Sequence, residues 1–170
     1  MDIRLQADAD NQNVASLMTA TFGAERSNRA VWHLRRDEPV KSLSLVALRN
    51  SKICGSLRFW EVMVCGHHQL LLGPLAVQFE LHGKGFGHAL VVDGLRRAQQ
   101  HSQWDFVLVS GDPEYYLKFG FTHTIDSQFI LPGNFLPNVL QIRALHKDGL
   151  AHLPDGPMAV LPLAAGKVGL

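Results

Sequence analysis

Apolar and polar positions change period along the chain, and each change marks an element. Ile3 and Leu5 alternate with polar residues and predict a short opening strand. Over 10–22, Val14, Leu17, Met18 and Phe22 recur at helical spacing, with Asp10 placed as the N-cap. A second helix is predicted over 28–37. There Val31, Trp32 and Leu34 oppose Arg29, Arg35 and Arg36, which read as a solvated face. The period then drops to two. Leu43, Leu45 and Ala47 alternate with Ser42, Ser44 and Val46, and longer strands follow over 52–64 and 68–77. Cys65-Gly66-His67 joins these two by so short a turn that they must be antiparallel neighbours.

A glycine-rich run, His82-Gly83-Lys84-Gly85-Phe86-Gly87, opens a helix predicted over 85–101. Its Leu90, Val91, Gly94, Leu95 and Ala98 share one face, opposite Asp93, Arg96, Arg97 and Gln100. Phe106 and Leu108 belong to a buried strand, so strand, helix and strand make one parallel crossover. A short helix over 112–119 has Asp112 as N-cap and Pro113 at its first position, and Phe121 begins another strand. Beyond it, Pro132, Pro137, Pro154, Pro157 and Pro162 leave one strand candidate, 140–145; the stretch after Gly149 reads as a surface wrap. The pattern predicts an α+β fold: a mixed, mostly antiparallel sheet with a central βαβ crossover.

Length and composition narrow the classes. The 170 residues suit one domain, 1–170, with 132–170 as its C-terminal extension. Apolar residues at 46% against 18% charged exclude a disordered chain. A net charge of +1 supplies no field to draw the protein onto nucleic acid or an anionic membrane. Cys54 and Cys65 are too few for a disulfide framework and lack metal-ligand spacing. The nine histidines form no HxxxH pair, so no metal is expected. The first ten residues carry acids and no apolar core, unlike a signal peptide, and a cytoplasmic location is the expectation.

The chemistry-bearing segment is 71–121. A helix N-terminus offers unpaired amides and a partial positive charge, both suited to a phosphate. Glycines at 83, 85 and 87 let the backbone approach an anion closely, and Lys84 adds a full charge. A Walker loop is absent, and His88 stands where a dinucleotide fingerprint needs its third small residue. Pro74 interrupts the preceding strand and predicts that it splays from its parallel neighbour. Such a slot suits an extended amide-containing ligand that pairs as an added strand.

This combination resembles the GCN5-related N-acetyltransferase (GNAT) superfamily, and within it a bacterial branch of predicted N-acetyltransferases. The resemblance rests on LLLGPLAV before the loop, on His82-Gly83-Lys84-Gly85-Phe86-Gly87 for a loop that reads Gln/Arg-x-x-Gly-x-Gly/Ala, and on GDPEYYLKFGF after it. His82 is the departure from that pattern. The resemblance implies acetyl-CoA as co-substrate, with its diphosphate on the amides of Gly83 to His88 and its pantetheine arm along Leu75, Ala76 and Val77. The amide of Leu75 would then donate to the thioester carbonyl and stabilise its developing charge.

The implied reaction is direct attack by a primary amine in a ternary complex. Tyr116, four residues before Gly120, is the candidate acid for the leaving thiolate, or else an orienting or packing residue; Tyr115 reads as packing. Glu61 is a substitute base, weighed against a solvated strand face, and His67 and His68 read as hairpin residues. Ser110 either bonds the arm or caps the next helix. The implied acceptor is a small-molecule amine or a peptide, with neither nucleic acid nor membrane as partner; the oligomeric state stays open, a homodimer included. The competing functions are a non-catalytic acyl-CoA sensor and an ATP-binding protein.

Overall fold

The alternation over 52–77 folds into the longest hairpin of the protein, and the rest of the sheet grows from it. The computed structural model describes residues 1–23, 30–124, 128–132 and 140–163. In chain order the strands are β1 (Asp2–Leu5), β2 (Leu45–Arg49), β3 (Lys52–Val64), β4 (His67–Val77), β5 (Phe106–Ser110), β6 (Thr122–His123), β7 (Phe129–Ile130), β8 (Leu140–Ala144) and β9 (Met158–Pro162). The helices are α1 (Asn11–Phe22), α2 (Phe86–Gln100) and α3 (Pro113–Leu117). The sheet order is β1-β2-β3-β4-β5-β8-β6, with β9 against β3 and β7. In the main path, β4–β5 is the parallel pair, and α2 is its crossover. This is the mixed, mostly antiparallel sheet that the periodicity predicts.

Both faces of the central strands are covered, which is why β2 and β4 read as nearly continuous apolar runs. Leu90, Val91, Leu95 and Ala98 of α2 pack on Leu57, Phe59, Leu70, Leu72, Val107 and Val109. On the opposite face, Val14, Leu17 and Met18 of α1 cover Val46 and Ala76. The same face continues under Val31, Leu34, Met158 and Val160, which close over Val62, Val64, Leu71, Phe106 and Leu108.

Sequence expectations change at several points. The second helix shortens to a 3-10 turn, Ala30–Leu34, with residues 28 and 29 of the expectation outside the described residues. Arg35 does not join a solvated face: its guanidinium lies against β4, with Nη2 2.9 Å from the point a Cβ on Gly73 would occupy. The stretch after Gly149 is not only a surface wrap. β3 is 13 residues long and β2 only 5, so β3 has an open edge beyond Leu57, and β9 fills it at Val62 to Val64. Pro137 lies outside the described residues.

Asp10 stands at the N-cap of α1, as expected, but its side chain makes no capping hydrogen bond there. Its carboxylate instead accepts from Arg4 at 2.6 and 3.0 Å and from the Ala7 amide at 2.8 Å, tying β1 to the start of α1. The Arg4 hydrogen bond, then the Ala7 amide, hold its pKa down at about 2. A carboxylate lowered on folding adds stability that is complete above its ordinary pKa and is lost as pH falls toward the folded value. Arg4 is half exposed, so solvent screening trims the gain to about 1–2 kcal/mol. Asp10→Asn is expected to lose that amount at neutral pH, and the gap to wild type is expected to close between about pH 4 and pH 2. Urea titrations across that range check it; a constant gap would show that the ion pair is not the source.

Candidate cofactor and active site

The open end of the parallel pair is the centre of the site. β4 and β5 pair at Leu70–Val107, Leu71–Leu108 and Leu72–Val109, and no further. Beyond Leu72, β4 passes Gly73 and Pro74, joined by a cis peptide, and continues against β3 alone. The splay expected from Pro74 is present. Its closed end is latched by Gln69, which is buried. The Gln69 Oε1 accepts from the amides of Asp105 at 2.9 Å and Phe106 at 3.1 Å, and its Nε2 donates to Asp105 Oδ2 at 3.0 Å.

The register decides which main-chain groups of β4 face the gap. The Gln78 amide donates to Cys54 O at 2.9 Å, and Ala76 stands opposite Ser56 two residues earlier. In an antiparallel ladder alternate residues point to the same partner, so Ala76 spends its amide and carbonyl on β3 while those of Leu75 and Val77 face the opening. The Val77 carbonyl is already engaged by the His82 ring, with Nε2 at 2.9 Å. His82, the departure from the loop pattern, thus fastens the loop to the end of β4. Its ring also lies 5.4 Å from that of the exposed Phe79.

The loop then delivers α2. Gly85 caps it in the left-handed region, φ +84°, and Phe86 anchors the first turn in the core. The first ladder bond runs from Ala89 to Gly85 O. The amides of Phe86, Gly87 and His88 precede it and have no main-chain acceptor among the described residues. A Cβ on Gly87 would lie 3.7 Å from side-chain atoms of both Leu75 and Val77, so this turn adjoins the open stretch of β4. Gly83 and Lys84 are exposed on the rim, and the His88 ring rests on Phe119 at 5.1 Å. Ser110 ends β5 opposite Leu140, half-buried, one residue past the last β4–β5 pair.

α3 faces the opening from the β5 side. Asp112 caps it by accepting from the Glu114 amide at 3.0 Å. Tyr116 is buried, its ring meeting Tyr115, Phe121 and Phe119 at 5.0, 5.6 and 6.3 Å. Burial pushes its phenol up, as does Tyr115, against a smaller downward pull from Arg35. Tyr115, read as a packing residue, reaches further: its hydroxyl lies 2.8 Å from the Cβ position of Gly87.

Other sequence candidates lie elsewhere. Glu61 stands opposite Leu70, below the opening, where it accepts from Trp104 Nε1 at 2.8 Å and meets His68 Nδ1 at 3.5 Å. His67 and His68 open β4 at the hairpin and are exposed. Sequence reasoning missed the places of Arg35, against β4 at Gly73, and of the Tyr115 hydroxyl, at the first turn of α2. For Tyr115 a signal existed, since it neighbours Tyr116 in a segment pointed at the loop; for Arg35 there was none beyond a run of arginines. Among the described residues no group of His, Cys, Asp or Glu side chains is clustered for a metal ion, and no helix is long and apolar enough to cross a membrane.

The fold is shared with known proteins. The GNAT family N-acetyltransferase YhbS from Escherichia coli, solved in complex with CoA, superposes with a TM-score of 0.78 at 25% identity, covering 93% of this chain and 88% of that one. A GNAT family acetyltransferase from Brucella melitensis, in complex with acetyl-CoA, gives 0.68 at 24% identity over 93% and 94%. Naa50 from Arabidopsis thaliana, in complex with the bisubstrate analogue CoA-Ac-MVNAL, gives 0.54 at 18% over 83% and 95%. No protein-family model matches the chain, and no curated protein does. The chain belongs to the GCN5-related N-acetyltransferase superfamily.

Proposed function

We propose that this protein, acting as one domain over 1–170, is an N-acetyltransferase that moves the acetyl group of acetyl-CoA to a primary amine by direct attack in a ternary complex. The observation that carries the reading is the end of β4–β5 pairing at Leu72–Val109 beside the unpaired amides of α2. The residues present fit the cofactor. Phe86, Gly87 and His88 offer amides without main-chain acceptors, and Gly83 and Gly85 hold positive φ where the loop turns. Lys84 adds charge for the diphosphate. Leu75 and Val77 offer main-chain groups for the arm, and Ala76 holds that edge on β3.

Bound acetyl-CoA would supply the activated acyl group, and the proton lost by the attacking amine would leave through water to main-chain carbonyls; the chain's own residues hold and polarise the reactants. The Leu75 amide faces the gap and would donate to the thioester carbonyl, where a preorganised donor counts most. Tyr116 stays protonated at neutral pH because burial disfavours the phenolate. Its proton could hydrogen-bond the departing thiolate, a contact that needs no full transfer from a phenol that burial weakens as an acid, while Ser110 would bond the arm from the β5 side. Holding amine and thioester in one geometry supplies much of the acceleration. Proteins of this fold are solved with coenzyme A beside N-acetyl-glutamate and with the bisubstrate analogue CoA-Ac-MVNAL, which supports a small amine or a peptide terminus as the acceptor class.

Calorimetry with CoA and with ATP tests the cofactor: CoA is expected to bind and ATP not to. Thiol release with a panel of amines and peptides tests catalysis. Tyr116→Phe is expected to lower kcat by about 10²-fold or more while CoA affinity holds. CoA binding without turnover on any acceptor would make the protein a sensor, and full turnover by the Phe variant would remove Tyr116 as the acid.

A further inference from the structure

We infer that Tyr115 is a further side chain of the cofactor site, its phenol donating a hydrogen bond to the cofactor where the diphosphate joins the arm. This rests on the acetyl-CoA reading above. The hydroxyl occupies a defined place. Measured from the point a Cβ on Gly87 would take, Tyr115 Oη is 2.8 Å away, and the side-chain ends of Leu75 and Val77 are each 3.7 Å away. The phenol of α3, on the β5 side of the opening, thus reaches across to the β4 side and the first turn of α2. A ligand running from the α2 amides to the Leu75 edge passes this hydroxyl.

The ring is held for that task. Lys118 sets its ammonium 4.0 Å from the Tyr115 ring centroid, and Tyr116 and Phe119 pack against the ring at 5.0 and 5.4 Å. The hydroxyl is left as the polar end of an otherwise packed side chain, the arrangement in which a tyrosine takes a hydrogen-bond partner. Partial burial raises its pKa, so it carries its proton throughout the neutral range and serves as a donor. The contact also explains the glycine at 87. Its backbone is ordinary helix, not a positive-φ turn, yet any side chain there would meet the phenol.

The test is calorimetry with CoA on wild type, Tyr115→Phe, Gly87→Ala and the double variant, with thermal melts to verify folding. Tyr115→Phe keeps the aromatic cluster and removes only the hydroxyl; it is expected to weaken CoA binding about tenfold and raise KM for acetyl-CoA to match. Gly87→Ala reaches the same contact from the helix side and is expected to cost about as much by displacing the phenol. The double variant is expected to bind like either single one, because both remove one interaction. Wild-type affinity in Tyr115→Phe, or losses that simply multiply in the double variant, would overturn the assignment. No binding of CoA by wild type would instead defeat the acetyl-CoA reading itself.

Discussion

Gly85→Val is expected to reduce CoA affinity by about 100-fold or more while leaving the fold in place. Gly85 caps α2 at φ +84°, and the space around its missing Cβ is empty, so the effect is conformational and not a clash. A β-branched residue in the left-handed region costs roughly 1–2 kcal/mol, and the loop relieves that strain by rotating toward ordinary backbone angles. Rotation there turns the amides of Phe86, Gly87 and His88 away from a common point. Each amide bonded to a charged phosphate is worth about 1.5–3 kcal/mol, so misaligning one or two accounts for the loss. Gly85→Ala, unbranched, is expected to fall between the two. Calorimetry reads the affinity and a melting curve shows that the fold persists. Undiminished binding by the Val variant would mean that the diphosphate is held elsewhere.

The second large effect is on stability. Gln69→Leu is expected to cost about 2–4 kcal/mol, seen as a melting temperature lower by roughly 5–15 °C. The replacement keeps the volume of a buried side chain and removes only its amide. The Asp105 and Phe106 amides then lose their shared acceptor, and Asp105 Oδ2 loses a donor. Asp105 is held below the ordinary carboxylate range first by this Gln69 bond and then by His146, 3.1 Å away. Gln69→Glu makes the contrast: it keeps an acceptor but sets a second carboxylate against Asp105. A Leu variant as stable as wild type would show that water satisfies these amides. The bonds join β4 to the start of β5, one residue below the pairs that end at the opening. The same variant therefore loosens the apex from which the two strands diverge.

How much of this was legible follows from the range of the interactions. The β3–β4 hairpin, α2 and the crossover are written in local periodicity, because each buries a face made of near neighbours in sequence. The loop was legible because glycine spacing and Lys84 carry their meaning without tertiary contacts, and Pro74 foretold the strand divergence for the same reason. β9 was not, since its pairing with Val62 to Val64 spans nearly 100 residues and depends on the length by which β3 outruns β2. Arg35 was misread because a run of arginines looks like a wet helix face until a glycine of another element makes room for one of them. Asp10 sat at the right place for a cap but found a stronger, cationic partner on β1. Tyr115 and Tyr116 are adjacent and chemically identical, so only the packing of α3 separates the buried one from the one whose hydroxyl reaches the first turn of α2.

The alternation along the open stretch of β4 divides labour within single residues. Leu75 and Val77 turn their side chains toward α2, and Ala76 turns its own beneath α1. In the proposed cofactor site this edge would speak through main-chain N–H and C=O groups, of which proline alone lacks the N–H. Replacements at 75 and 77 are thus policed by the volume available under α2 and not by the ligand, and evolution is free to rewrite these letters so long as the interior stays filled.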